Sequence, residues 1–171
     1  YTPAKWDTEK YVKEYNFLLN NDKSNVNWYI LRYADVLLMY AEALNEWHHG
    51  PNNAALAALN MVRRRGYGLP YNEANTTVDL KSTSYEGFQE YIRNERAYEL
   101  AFEGNRRQDL IRWGMYYETI VNTYIKLIGW YPEANYVAYQ YTQKNKHELL
   151  PIPARDMSLM ENFKQNQGWG D

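Results

Sequence analysis

The sequence predicts a mainly α-helical fold in which helical hairpins are separated by loop-rich segments. Three observations carry that prediction. Apolar residues recur at about 100° per residue over several successive stretches, clusters of Gly, Pro and Asn separate those stretches, and hardly any segment alternates with the period of two that a half-buried strand requires. With 171 residues and 45% hydrophobic side chains, the chain can fill one ordinary core.

Residues 1–27 read as a polar, extended lead-in ending in Asn20, Asn21, Asp22, Lys23, Ser24 and Asn25. A helical scaffold is expected over 28–128. In its first helix, from Trp28, the residues Ile30, Tyr33, Ala34, Leu37, Tyr40, Ala41, Leu44 and His48 share a face that Leu31, Val36 and Leu38 widen. Arg32, Asp35, Glu42 and Glu46 are left as a narrow polar strip, so this helix is expected to be covered over most of its circumference. Gly50 and Pro51 stop it and start an Ala-rich second helix, Asn52 to Arg65. Two helices joined by so short a turn form an antiparallel hairpin of the tetratricopeptide type.

After a loop from Tyr67 to Ser82, Thr83 and Glu86 have the spacing of a capping box and open a third helix. Its stripe runs through Phe88, Tyr91, Ile92, Tyr98 and Phe102 to Gly104. A fourth helix from about Arg106 carries Leu110, Trp113, Tyr117, Val121 and Tyr124. The segment 129–171 then turns irregular and aromatic, with Tyr136 to Thr142 readable as a short strand. Leu149 to Pro153 is an extended apolar anchor, because each Pro restrains itself and its predecessor away from helix, and a short helix near Arg155 to Met160 follows.

Composition removes several chemistries. The absence of cysteine excludes disulfides, Cys-ligated zinc, iron–sulfur clusters and a thiol nucleophile. A net charge of −2 argues against nucleic acid as a partner. No run of eighteen apolar residues is present to span a bilayer. Residue 1 is Tyr and no basic start precedes an apolar stretch, which is what a piece of a longer protein would show. His48, His49 and His147 do not form a metal-binding motif, and neither a nucleophile elbow, a phosphate loop nor a dinucleotide fingerprint occurs. Neither metal nor cofactor is therefore expected.

Charged residues of the third helix are the most informative. The helical wheel places Glu95 and Glu99 near the centre of the apolar face, where a carboxylate is tolerated only when paired. Glu95, Glu99 and Glu103 are read as an ion-pair lattice with Arg96, Arg106, Arg112 and Arg32, with Arg63, Arg65 and Arg107 as further candidates. Removing Glu95 should then cost about 3–5 kcal/mol. A sharper alternative makes Glu95 and Glu99 a glycosidase pair, against which stand their shared helix and the arginines expected to depress both pKa values. Arg63, Arg64 and Arg65 close the second helix and are expected to favour its C-terminal dipole.

The chain holds 6 Trp and 18 Tyr against 4 Phe, and rings with a polar handle suit half-wet surfaces. Trp130, Tyr131, Tyr136 and Tyr139 are candidate sugar-stacking residues, and the loop with Tyr67 and Tyr71 is a second place where rings on a positioned loop could present a binding face. The alternative is that the rings after Gly129 cover the fourth helix.

Several stretches resemble one family. Arg32-Tyr33-Ala34-Asp35-Val36-Leu37-Leu38-Met39-Tyr40-Ala41-Glu42-Ala43-Leu44-Asn45-Glu46 is similar to the hallmark helix of the SusD/RagB family, followed as there by Leu59-Asn60-Met61-Val62-Arg63-Arg64-Arg65. Asn94-Glu95-Arg96, Glu99 to Gly104 and Asp109 to Gly114 resemble its second signature, and Leu150 to Pro153 with Gln165, Asn166 and Gly168 its close. Gln167 replaces a usual Pro, Gly66 a common Ala, and Arg107-Gln108 frequent aromatics; none of these touches binding chemistry. The resemblance implies the C-terminal portion of a surface-exposed outer-membrane lipoprotein of the Bacteroidetes type. Such a protein is not an enzyme: it captures a glycan, or in some branches a peptide, for a SusC-like TonB-dependent transporter. Its signal peptide, lipid anchor and most ligand loops would lie upstream. A helical protein-binding adaptor and an all-helical glycoside hydrolase are the rival readings.

Overall fold

The computed structural model describes residues 28–160 and 162–170, and the lead-in assigned to 1–27 lies outside them. The helices are α1 (Tyr33–His48), α2 (Asn53–Gly66), α3 (Tyr85–Glu99), α4 (Arg106–Arg112), α5 (Tyr116–Trp130), α6 (Val137–Tyr141) and α7 (Ala154–Leu159), with no strand among the described residues. Two compact units divide the chain between Arg106 and Arg107.

In the first unit, α1 and α2 form the expected antiparallel hairpin, and α3 packs on both. Ala34, Ala41, Ala55 and Ala58 let the hairpin helices approach, and Leu38, Leu59, Val62, Phe88 and Ile92 fill the space between them and α3. Full burial of side chains such as Phe88 and Leu38 contributes about 1.5–3 kcal/mol apiece.

The ends of these helices differ from the sequence reading. α1 starts at Tyr33, because Arg32 is extended (φ −122°, ψ 154°). Its predicted polar strip is also inverted in part. Asp35 and Glu42 are buried beside Ala34, Leu38, Ala41 and Asn45, whereas Tyr33, Val36, Met39 and Tyr40 are exposed. The expected cover over most of α1 is therefore absent among the described residues. Asp35 tolerates burial because Arg96 Nη1 lies 2.7 Å from its Oδ1.

His49, not Gly50, takes the left-handed C-cap conformation (φ 49°). Asn52 caps α2 by accepting from the Ala55 N–H at 2.8 Å. At α3 the expected Thr83 box is displaced by one residue: Ser84 Oγ accepts from the Gly87 N–H at 3.1 Å. Gly87 admits Thr83 against the first turn, since a Cβ there would fall 2.6 Å from Thr83 Oγ1. α3 ends at Glu99, and Phe102 (φ 65°) leaves the stripe for solvent.

In the second unit the single long helix predicted from Arg106 is broken. Gly114 (φ 68°) closes α4 with two bonds, Met115 N–H to Leu110 C=O at 2.8 Å and Gly114 N–H to Ile111 C=O at 2.9 Å. α5 continues through Gly129 to Trp130. Where Tyr136 to Thr142 suggested a strand there is the short helix α6. With no neighbouring strand to pair with, its backbone bonds close within the segment, as from the Tyr139 N–H to the Tyr136 C=O at 3.0 Å. Leu149 to Pro153 is extended as expected, but Leu149 and Leu150 are exposed, so apolar insertion does not anchor it. Gln165 does so instead, taking the Ile152 N–H at 2.7 Å and donating to the Ile152 C=O at 2.8 Å.

Candidate functional site

The last turn of α2 sends its three arginines in three directions. Arg63 Nη1 reaches Glu95 Oε2 at 3.1 Å while its Nε donates to the Val78 C=O at 2.6 Å. Arg64 grips Asp79 in a two-bond fork (2.6 and 2.5 Å), and Arg65 Nη2 contacts Glu99. All three stand in the last turn of α2, where their charge favours the helix dipole as expected, and each also reaches a carboxylate. Arg32, extended just before α1, bridges Glu99 Oε1 and Glu103 Oε1, each at 2.7 Å. Arg96 pairs with Asp35. Arg106 donates to the Arg93 C=O at 3.1 Å, and Arg112 pairs with Asp109 one turn back at 3.0 Å.

Glu95, Glu99 and Glu103 are all buried. Hydrogen bonding to Glu103 is the main cause that raises the Arg32 pKa, and the Arg64 fork holds the Asp79 carboxyl below the usual carboxylate range. Glu95 goes the other way: burial pushes its carboxyl up, Arg63 offsets only part of this, and Glu99 adds to the rise. Its sequence-based expectation of a depressed value is thus corrected, because one partly exposed guanidinium does not outweigh desolvation.

Beside this lattice, an open groove of about 560 Å³ runs between the end of α2 and one face of α3. Arg63, Tyr67, Tyr91, Asn94, Glu95 and Tyr98 line it. Sequence reasoning singled out Tyr67 and Glu95 separately and missed that they share a wall. The usable signal was the spacing of Tyr91, Asn94, Glu95 and Tyr98, which puts all four on one side of a helix.

The candidate stacking residues are distributed unevenly. Trp130 lies on the last turn of α5 and is 75% exposed; Tyr131 follows at 66%. Tyr136 is half-buried at the start of α6. Tyr139 lies flat on Tyr124, with centroids 4.1 Å apart and planes 8° apart, so the face of its ring toward α5 is taken.

A sequence model of the SusD family matches residues 1–169. The chain belongs to the SusD family. SusD-like protein P25 of Formosa agariphila is 36% identical over 147 residues, covering 84% of this chain and 25% of that protein. A crystal structure of a SusD homolog from Bacteroides thetaiotaomicron superposes with a TM-score of 0.85 at 55% identity, covering 98% of this chain and 32% of that one. A SusD superfamily protein from Parabacteroides distasonis gives 0.57 at 26% identity, over 88% of this chain and 29% of that one. The chain thus spans about a quarter of the curated SusD-like relative and about a third of its solved homologues. The mainly α-helical fold is shared with these structures.

Proposed function

We propose that this chain is part of a nutrient-binding receptor that captures a glycan at the outer membrane and passes it to a SusC-like TonB-dependent transporter. The observation that supports this reading is the SusD family match along residues 1–169. Within the reading, the α1–α3 lattice is a rigid support, and the exposed rings of Trp130 and Tyr131 face ligand, with the half-buried Tyr136 as a further candidate. Tyr139 mainly supports α5 through Tyr124. Attachment to the membrane in this reading is through a lipid anchor, and no helix among the described residues is long and apolar enough to cross a bilayer.

Catalysis is not part of the proposal. Glu95 and Glu99 sit one turn apart on the same helix, with Glu99 already held by Arg32 and Arg65. A glycosidase needs its two carboxyls on either side of the scissile bond.

Glycan and peptide arrays probed with the longest native polypeptide containing this chain test the proposal. Binding of a glycan with a change in Trp fluorescence, no release of reducing ends, and co-purification with a SusC-like protein are expected. Capture of peptides alone would substitute a RagB-like peptide receptor, and capture of folded proteins alone an adaptor. Reducing ends whose release stops in a folded Glu95→Gln variant would substitute a hydrolase.

A further inference from the structure

Glu95 is an unusual wall for a groove. Its side chain is 8% exposed, its Oε2 takes the bond from Arg63, and its Oε1 receives none from the described residues. This oxygen, on a mostly buried side chain, is reachable from solvent and open to a donor from water or a ligand hydroxyl. Arg63 donates through Nε and Nη1 but makes no bond through Nη2 among those residues, and the exposed Asn94 amide is likewise unused. Planar donors and acceptors therefore converge on one space.

Aromatic faces border the same space. Tyr67 and Tyr98 are 61% and 71% exposed, far more than packing requires. Tyr67 is held in place by the Arg63 guanidinium 5.2 Å from its ring centre, and Tyr91 by an edge contact with the buried Phe88. Tyr67 and Tyr91 are thus positioned before any ligand arrives, which lowers the entropy cost of binding. A volume of about 560 Å³ suits a small ligand or a short stretch of polymer.

Charge narrows the class. Arg63 and Glu95 are the charged groups lining the groove, and they neutralise each other. A cationic ligand would meet Arg63 at the cost of its contact with Glu95, and an anionic one the reverse. A neutral polyol with adjacent hydroxyls uses both, donating to Glu95 Oε1 and accepting from Arg63 Nη2 and Asn94 while its C–H face lies on a Tyr ring.

We infer that the groove between α2 and α3 is a subsite for neutral sugar residues, with Tyr67 and Tyr98 as stacking rings and Glu95, Arg63 and Asn94 as hydroxyl partners. For its ligand class the inference rests on the receptor reading above. The groove belongs to the first unit, whereas Trp130 and Tyr131 belong to the second.

The test follows tyrosine ring signals by NMR in the longest native polypeptide containing this chain. The probes are neutral hexasaccharides of glucose, mannose and xylose, with hexagalacturonate and pentalysine as charged comparisons. At least one neutral probe is expected to shift the Tyr67 and Tyr98 signals. Tyr98→Ala and Asn94→Ala should each weaken that binding about tenfold with an unchanged melting temperature, since both side chains are exposed. The inference is overturned if no neutral probe moves these rings, if a charged probe moves them as strongly, or if both variants bind as before. Sugar binding lost in Trp130→Ala but retained in Tyr98→Ala would remove the groove and leave the receptor reading standing. The absence of sugar binding by every variant and by the unaltered protein would remove both.

Discussion

Among the described residues, the unit ending at Arg106 buries Phe88, Ile92, Leu38 and Leu59 completely and adds Asp35, Asn45, Glu95, Arg96 and Glu99 to the same interior. The unit beginning at Arg107 buries only Asp109, Leu110 and Ile120. Single clasps tie its loops: Gln165 on Ile152, Asn166 on the Leu150 C=O, and the Trp169 indole N–H on the Lys146 and Leu149 carbonyls, beside the Tyr124–Tyr139 stack. Apolar burial scales with area and accumulates over a packed layer, whereas each clasp contributes about 1 kcal/mol net. The first unit is therefore suited to hold a site rigid, and the second opens locally at lower cost.

Truncating the two interiors in parallel is the strongest way to break this contrast. Phe88→Ala should cost about 3–5 kcal/mol, since its ring is fully buried between α1, α2 and α3. Ile120→Ala, in the thinner interior, should cost about 2 kcal/mol, at the low end for its type. Urea denaturation of each variant reads both values, and equal losses would erase the distinction. Glu95→Ala belongs beside Ile120→Ala at about 1–3 kcal/mol, less than the sequence alone suggested. Arg63 is 21% exposed and keeps its bond to the Val78 C=O when Glu95 is removed, so the stranded guanidinium is still partly solvated.

The next effect is smaller and carries a sign. Arg64 and Asp79 lash the 67–82 loop to α2, helped by Asn60, which exchanges two bonds with the Leu80 backbone at 3.0 and 2.8 Å. Because the folded Asp79 carboxyl is held below its ordinary value, the unfolded chain takes up its proton first as pH falls. Its stabilisation is complete above an unfolded pKa of about 3.9 and is lost as pH drops toward the folded value. Asp79→Asn should cost about 1–2 kcal/mol at pH 7, because the pair is partly exposed, and the gap to the unaltered protein should close in acid. Glu95 has the opposite sign: with its folded carboxyl raised, the unaltered protein should lose stability relative to Glu95→Gln as pH rises from about 4.3. Melting curves from pH 3 to 7 separate the two, and parallel curves for Asp79→Asn would show that the fork contributes nothing.

How much of this was legible follows the same division. The helical wheel placed Glu95 and Glu99 at a buried face, because burial within a helix is a local property of spacing. Their partners were not legible: Arg63, Arg65 and Arg32 reach them across 32, 34 and 67 positions, and any nearby guanidinium satisfies the chemistry equally well on paper. The inverted strip on α1 was missed for a related reason, since an acid reads as solvent-facing until Arg96 is known to cover it. In the second unit, short aromatic runs carry no clear period, so α6 could not be told from a strand. No local pattern announces that an amide such as Gln165 will pair with a backbone thirteen residues away.

That clasp supplies the finest test of the contrast. Gln165 bonds both the N–H and the C=O of Ile152 between two prolines, where no helix or sheet partner is available to either group. Gln165→Ala leaves them to water and should cost about 1–2 kcal/mol, with the loss concentrated in faster hydrogen exchange at Ile152. Trp130→Ala, in the same unit but with the ring three-quarters exposed, should stay within about 0.5 kcal/mol. If the indole proved the costlier of the two, the second unit would be held by its aromatic rings. The surface assigned to ligand would then be doing the work of a core.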